Sequence, residues 1–143
     1  TAHLDNVGAY SHTIAEALGR DSVYAPFIDA DFLRGIREAA PLHDIGKVAL
    51  SDSVLLKPGR LTPGETRLMQ KHPAAGRAIC AFVGTSARAD DDLIGMVGDI
   101  AGAHHEWWDG SGYPEGLRGA DIPLSARIVA VADVYDACRS LDT

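Results

Sequence analysis

Histidine and aspartate residues recur along the whole length of this chain, on segments that are otherwise apolar and helix-like. The set comprises His3, His43, Asp44, His72, His104, His105 and Asp133. Neutral imidazole and carboxylate groups are ligands that divalent iron, manganese and zinc take in proteins. No cysteine cluster competes for the role, since the chain has 2 cysteines. The pattern predicts a two-metal site, and the chemistry that such a site favours is hydrolysis of a phosphoester.

A structural coincidence is the alternative interpretation. A single helical histidine is most often a surface residue or a core residue with a satisfied hydrogen bond, and His12, which lacks a partner motif, is assigned to that class. The full set differs, because burying so many polar groups without a shared partner would be costly in free energy. We therefore interpret the set as metal ligands and His12 as a structural residue.

Asp44 is the residue expected to join the two metal positions. A carboxylate can bridge two ions and an imidazole cannot, so we expect His43 and Asp133 on one ion and the remaining histidines on the other. Because His43 and Asp44 are adjacent, they can share a metal only where the backbone departs from helical geometry, and Pro41 predicts such a boundary. Asp136, three residues after Asp133, is expected to support the site or to orient a histidine.

Composition narrows the class of protein. The chain has 143 residues, 46% of them hydrophobic, which is enough for one packed domain. A formal net charge of -7 and a pI near 5.2 argue against binding a nucleic-acid polymer.

Apolar runs are shorter than the ~20 residues that span a bilayer, so we expect no membrane contact. The sparse cysteines favour a reducing, cytoplasmic location. The chain begins inside a helical pattern and ends without a stop signal, so we expect a fragment of a longer protein.

Apolar periodicity predicts an all-α fold, a helical bundle without strands. The expected helices cover residues 3–18, 29–40, 62–79, 93–105 and 124–141. In the third of these, Thr62, Pro63 and Glu65 have the spacing of a capping box with proline at the first helical position. His72 and Gly76 share one face of it, so the glycine would let another element approach beside the histidine.

One long irregular loop interrupts the predicted bundle at about residues 106–123. Its glycines and prolines are denser than a helix or a central strand tolerates. Loops of this length inside a compact domain are usually functional. Of Trp107 and Trp108, one is expected to pack in the core, and stacking on a nucleobase is the alternative role.

Taken together, the motifs resemble the HD-GYP domain, a subgroup of the HD superfamily of metal-dependent phosphohydrolases. They are His-Asp-Ile-Gly-Lys at 43–47, His-Pro-Ala-Ala-Gly at 72–76, His-His-Glu at 104–106 with Asp-Gly-Ser-Gly-Tyr-Pro at 109–114, and Ile-Pro-Leu-Ser-Ala-Arg-Ile at 122–128 leading into Ala-Asp-Val-Tyr-Asp-Ala at 132–137. An isolated His-Asp pair would mean little, whereas these motifs follow the expected order over nearly the whole chain. The resemblance implies one HD-GYP-like domain over residues 1–143, with an HD-type helical fold.

The resemblance implies hydrolysis of the bacterial messenger cyclic di-GMP to pGpG, to GMP or to both. It places around one metal ion His3, His43, Asp44 and Asp133, and around the other Asp44, His72, His104 and His105. Asp44 and Lys47 are the catalytic residues that it implies, with Lys47 contacting a phosphate. The implied substrate contacts are Lys47, Gly112, Tyr113, Pro114 and Arg118.

The cofactors implied are two divalent ions, iron or manganese. Family members that hold a third ion commonly use a glutamate one helical turn before the position of His3, and we do not predict a third ion here.

In the favoured mechanism, a hydroxide that bridges the ions attacks phosphorus while Lys47 donates a hydrogen bond to the developing negative charge. Beyond cyclic di-GMP, the expected partners are a sensor or receiver domain and proteins of the diguanylate cyclase type.

Two other functions stay open at this point. One is a general HD phosphohydrolase that acts on other nucleotides, although the simplest HD sites need only His3, His43, Asp44 and Asp133. The other is a module that binds cyclic di-GMP or a partner protein without hydrolysing it. The intact ligand set favours a working enzyme over the binding module.

Overall fold

The structure, a computed structural model, describes residues 2–86 and 90–140, which form α-helices and short 3-10 turns without a β-strand. The helices are α1 (Ala2–Arg20), α2 (Ala30–Ala39), α3 (Asp52–Leu55), α4 (Pro63–Met69), α5 (His72–Val83), α6 (Asp91–Ala103) and α7 (Leu124–Ser140). The 3-10 turns are Ala25–Phe27, Ala40–Leu42, Ile45–Ala49 and Gly119–Asp121. The predicted all-α class is confirmed. None of the described helices is long and apolar enough to cross a membrane.

The helices pack into a bundle around one main core. α1 packs on α2 and α7, α6 packs on α2, α5 and α7, and the Ile45–Ala49 turn packs on α5. The buried core residues are Val7, Ala15, Ile36, Ala39, Ala40, Cys80, Val97, Ile100, Ile128, Val129 and Ala132. Burial of such apolar side chains is the main favourable term in folding. The expectation that one tryptophan packs in this core is wrong, because Trp107 and Trp108 are each 62% exposed.

Local signals explain where the predicted helices begin. The Asp29 side chain accepts a hydrogen bond from the Phe32 amide and caps α2. The predicted capping box is present at α4, where Thr62 and Glu65 bond each other's backbone amides. Asp90 caps α6 through the Leu93 amide, so this helix starts at Asp91 rather than at residue 93 as predicted. Small and polar residues predict a break before this helix at residues 87–92, and part of that segment lies outside the described residues.

The predicted third helix is wrong as a single element, because α4 ends at Met69 and α5 begins at His72. In a continuous helix the residue 73 amide would bond the Met69 carbonyl, and Pro73 has no N–H to donate. The His72 Nδ1 atom lies 2.7 Å from that carbonyl oxygen and takes the place of the missing donor. The interruption therefore orients His72 as well as dividing the helix.

The long loop agrees with prediction over residues 106–123, apart from the 3-10 turn Gly119–Asp121. α6 ends at Ala103, so His104 and His105 lie immediately beyond it. α7 begins at Leu124, where the last helix is predicted to start, directly after Pro123. No sequence pattern predicts α3 or the Ile45–Ala49 turn.

Two glycines let three segments approach each other beside His72, as predicted for Gly76. A Cβ atom on Gly46 would overlap the carbonyl oxygen of His72 and the amide nitrogen of Gly76, and a Cβ on Gly76 would lie 2.9 Å from the Ala101 Cβ. The atoms that limit the space at these two glycines are backbone atoms and the Cβ atom of Ala101, and none of them can rotate away. The Ile45–Ala49 turn, α5 and α6 are therefore held at a spacing that excludes any larger residue.

We expect Gly46→Ala to lower the free energy of unfolding by about 2–4 kcal/mol, because backbone atoms must move to admit the methyl group. Thermal unfolding followed by circular dichroism measures the change. Gly95→Ala is the matched control, since a Cβ there meets no atom within 4 Å on the exposed side of α6. Alanine should leave that helix as stable or more stable by up to about 1 kcal/mol. Equal melting temperatures for the two variants would contradict this account of Gly46.

Candidate metal centre

His43 and Asp44 converge because the chain is not α-helical where they lie. α2 ends before Pro41, and the two residues occupy the junction between the turns Ala40–Leu42 and Ile45–Ala49. His43 is buried and its Nε2 atom lies 3.4 Å from an Asp44 carboxylate oxygen. The departure from helical geometry expected at this pair is therefore present.

The two oxygens of Asp44 face different histidines. Oδ1 lies 3.2 Å from the Nε2 atom of His72 and 3.6 Å from that of His104. Oδ2 lies 3.4 Å from the Nε2 atom of His43 and 2.6 Å from the Lys47 ammonium nitrogen. Burial alone would raise the pKa of this carboxyl, but hydrogen bonds from His104, His43, His72 and Lys47 outweigh it and hold the pKa well below its usual range. Asp44 is thus an ionised carboxylate shared between two clusters.

All seven residues singled out as candidate ligands are brought together in these two clusters. The first contains Asp44, His72, His104 and His105, and the second contains His3, His43 and Asp133. Within each cluster, every residue offers one ligand atom, and these atoms lie within 4.8 Å of one another. The division agrees with the one that the family resemblance implies, with Asp44 between the two, whereas the expectation from residue types alone placed His3 with the histidines of the first cluster. His12 lies on α1 and belongs to neither cluster.

Three buried histidines are held in the same tautomer by backbone carbonyls. The Nδ1 atom of His43 lies 2.9 Å from the Ala40 oxygen, that of His72 2.7 Å from the Met69 oxygen, and that of His104 3.0 Å from the Ile100 oxygen. A carbonyl oxygen can only accept, so Nδ1 carries a hydrogen and Nε2 is the nitrogen that faces Asp44, where a metal ion would take the place of its proton. This arrangement fits a metal ion, which needs a neutral imidazole with a free nitrogen. The cluster is therefore able to hold divalent ions.

Asp136 orients His3 in an equivalent way. Its Oδ2 atom lies 2.6 Å from the Nδ1 atom of His3, and its Oδ1 atom accepts a 2.9 Å hydrogen bond from Asn6. The Nε2 atom of His3 then lies 3.4 Å from Asp133. Asp136 is 2% exposed, and the hydrogen bond from His3, followed by that from Asn6, lowers the pKa of its carboxyl despite burial. The role expected from its position after Asp133 agrees with this geometry.

His105 has a different support, the ring of Tyr113. The two rings are stacked, with centroids 4.8 Å apart and planes 18° apart. Burial, reinforced by the neighbouring His104 and His72, lowers the pKa of His105 to about 3. Burial and the nearby negative charge of Asp44 raise the pKa of Tyr113. Both side chains are therefore neutral at physiological pH, and His105 is able to offer a nitrogen lone pair.

The loop after His105 is fixed by Glu106, which the sequence reasoning did not single out. Its buried carboxylate accepts hydrogen bonds from the backbone amides of Glu115, at 2.7 Å, and Leu117, at 3.0 Å. A Cβ atom on Gly112 would overlap the backbone of His105 and Trp107, so this position requires glycine for packing. The one available signal was an acidic residue directly after the histidine pair and before a run of turn residues.

Of the other predicted substrate contacts, some lie at the metal centre and some lie away from it. Lys47 and Tyr113 contact residues of the first cluster. Pro114 lines a hollow against α5, and Arg118 is exposed and donates to the carbonyl oxygen of Asp109. The structure thus brings two of the predicted contacts to the cluster and places these other two within the loop.

Comparison with known proteins agrees with this geometry. A family model described as HD domain matches residues 8–142. A probable cyclic di-GMP phosphodiesterase of Vibrio cholerae is 45% identical over 139 residues, which are 96% of this chain and 32% of that protein. A cyclic di-GMP phosphodiesterase of Thermotoga maritima is 44% identical over 138 residues, 96% of this chain and 34% of that protein. A 3'3'-cGAMP-specific phosphodiesterase 2 of Vibrio cholerae is 43% identical over 136 residues, 95% of this chain and 23% of that protein. The chain spans about a third or less of the length of these relatives.

Asp136→Ala is expected to weaken binding of Mn²⁺ about 10- to 100-fold, because His3 loses the acceptor that fixes its ring and tautomer. Titration of metal-free protein with Mn²⁺ gives the affinity, and circular dichroism gives the helix content. Glu38→Ala, which removes an exposed carboxylate from α2, is the control and should bind as the unaltered protein does. Equal affinities for the two variants would show that Asp136 does not position a metal ligand.

Glu106→Gln is expected to loosen the loop, because the amide group of glutamine turns an N–H donor towards one of the two backbone amides. The cost should be about 1–3 kcal/mol for a buried donor left without an acceptor. Hydrogen exchange at Glu115 and Leu117 should become faster than in the unaltered protein. Unchanged exchange at both amides would contradict the assigned role of Glu106.

Proposed function

This chain belongs to the HD domain family, and from that membership we propose that it is a metal-dependent phosphodiesterase that hydrolyses cyclic di-GMP to pGpG, GMP or both. The observation that carries the proposal is the pair of ligand clusters that share the Asp44 carboxylate. The choice of substrate rests on two relatives, one named a probable cyclic di-GMP phosphodiesterase and the other a cyclic di-GMP phosphodiesterase. They are 45% and 44% identical to this chain over nearly its whole length.

We propose two ions, iron or manganese, one in each cluster. The donors are imidazole nitrogens and carboxylate oxygens, a set that suits these metals better than soft, thiolate-preferring ones. The ligands would be His3, His43, Asp44 and Asp133 for one ion, and Asp44, His72, His104 and His105 for the other. Bound ions would act as Lewis acids on a phosphoryl oxygen and make a water molecule acidic enough to ionise near neutral pH.

The residues of the chain contribute position and charge. Asp44 stays ionised and keeps the two clusters at one spacing, while the carbonyl-bound histidines present their Nε2 atoms without rearrangement. Lys47, whose side chain is 37% exposed, offers an ammonium group at the open side of Asp44. We assign it as the donor to a phosphate oxygen, where negative charge accumulates during attack on phosphorus. Tyr113, stacked on His105, would border the substrate.

A second substrate, 3'3'-cGAMP, is favoured by a specific observation, the 43% identity to a phosphodiesterase named for that dinucleotide. The relatives are about three or more times as long as the matched segment, so we also propose that a sensor or receiver domain controls the activity. Contact with proteins of the diguanylate cyclase type belongs to the same proposal. Two free cysteines favour a reducing, cytoplasmic setting.

Asp44→Ala should lose both bound metal and hydrolysis of cyclic di-GMP, because one carboxylate serves both clusters. Lys47→Ala should keep its metal and lower kcat about 100-fold, the scale seen when a single charge-stabilising donor is removed. Metal content is measured by elemental analysis of anaerobically purified protein, and the products are followed by chromatography. His12→Ala is the control for loss of a histidine and should match the unaltered protein, while a chelator should abolish activity reversibly.

The same assay separates the competing functions. Full activity of Asp44→Ala would overturn the proposed scheme. Metal-loaded protein that binds cyclic di-GMP without converting it would establish a binding module instead. Hydrolysis of 3'3'-cGAMP or of other nucleotides in preference to cyclic di-GMP would keep the reaction class and change the substrate.

A further inference from the structure

An apolar groove opens directly beside the metal centre. Its volume is about 630 Å³, and it lies between the long loop and α7. The lining residues away from the centre are Trp107, Trp108, Val131, Val134, Tyr135 and Cys138. The groove is also lined by His104, His105 and Asp133, which are candidate metal ligands. The groove is thus continuous with the site proposed for the phosphodiester.

The side chains that line this groove are unusually exposed for their size. Trp107 is 62% exposed, Val131 61%, Val134 62% and Tyr135 51%. An apolar surface of this kind beside a functional centre is typical of a binding site. Two of the aromatic rings are held by neighbours: Arg127 lies 5.7 Å from the centre of the Trp108 ring, and Tyr135 packs edge-on against Tyr10.

The groove and the metal centre differ in the charge of the residues that line them. Among the described residues that line the groove there is no lysine or arginine, and the guanidinium groups nearest to it lie on the Trp108 and Tyr135 rings, 5.7 Å (Arg127) and 5.8 Å (Arg139) from the ring centres. Ions at the His104 and Asp133 end would attract the phosphate there. A neutral, flat group joined to that phosphate would then lie along the apolar walls. The volume falls within the roughly 300–1,000 Å³ usual for small-molecule sites.

We propose that this groove binds one purine base of the cyclic dinucleotide, with the Trp107 indole as its stacking surface. The inference rests on the proposed function for the identity of the ligand, and it adds a residue that contributes to substrate affinity. Stacking on an aromatic ring is favourable for every base, because each presents a π-face. Trp107 should therefore strengthen binding of guanine and adenine alike without choosing between them.

The test compares Trp107→Ala with Phe82→Ala, which removes another exposed aromatic ring, 80% exposed, from the C-terminal end of α5. With metal-loaded protein and cyclic di-GMP, we expect Trp107→Ala to raise KM about tenfold, the loss expected for one base–aromatic stack, and to change kcat less than threefold. Phe82→Ala should leave both constants unchanged, and Trp107→Phe should recover most of the affinity. With 3'3'-cGAMP, KM should rise by the same factor.

The readout by fluorescence is independent of turnover. The chain has 2 tryptophans, and both line the groove, so binding of cyclic di-GMP or GMP should quench the intrinsic emission. If the unaltered protein hydrolyses cyclic di-GMP and Trp107→Ala has an unchanged KM, the groove proposal fails and the phosphodiesterase stands. If the unaltered protein hydrolyses nothing, a quenching titration whose Kd rises about tenfold in Trp107→Ala, followed through the remaining Trp108 emission, would still support the base site, and absence of quenching in the unaltered protein would overturn it. Loss of metal from Trp107→Ala would also contradict the proposal, because the indole would then support the metal centre.

Discussion

The structure depends on holding an ionised carboxylate, Asp44, among imidazoles that are almost fully buried. His43, His72 and His104 are each 4% exposed or less, so every polar nitrogen on them needs a partner. The partners of their Nδ1 atoms are carbonyl oxygens of the Ala40–Leu42 turn, of the last residue of α4 and of the last turn of α6. Carbonyls at helix ends carry partial negative charge, and those of Ala40 and Ile100 accept the backbone amides of His43 and His104 as well as the rings. Ending three helical segments beside Asp44 therefore fixes the histidines and favours a cation in one arrangement.

The two halves of the centre are stabilised by different contacts. The half that contains His72 and His104 depends on the close approach of the Ile45–Ala49 turn, α5 and α6, which Gly46 and Gly76 permit. The half that contains His3 joins the two ends of the chain, because α1 packs on α7. Buried Asp136 links these helices through hydrogen bonds to α1, so the same contact that closes the bundle also aims a candidate ligand.

The loop after α6 makes the centre asymmetric. The Glu106 carboxylate accepts hydrogen bonds from two backbone amides of the loop, and the Tyr113 ring stacks on that of His105. Trp107 is exposed and lines a groove that candidate metal ligands also line. The loop therefore both shields one cluster and provides an apolar wall beside it, which is a suitable division for a ligand with charged phosphates and flat, neutral bases.

The sequence by itself determined the helical class, the long loop, the capping box at α4 and the identity of the residues that meet at the centre. These features follow from local rules, because hydrophobic periodicity, proline and turn residues act over a few positions. Residue types that bind metal can be identified in a sequence whatever their order along the chain. The break at Pro73 and the contacts of Glu106 are also local in sequence, but they depend on which carbonyl or amide lies opposite the side chain, which residue types do not show. Tertiary structure alone decided that Asp44 faces His72 and His104, that His3 on α1 meets Asp136 on α7, and that both tryptophans face outward. Those relations are set only when segments distant in sequence pack together.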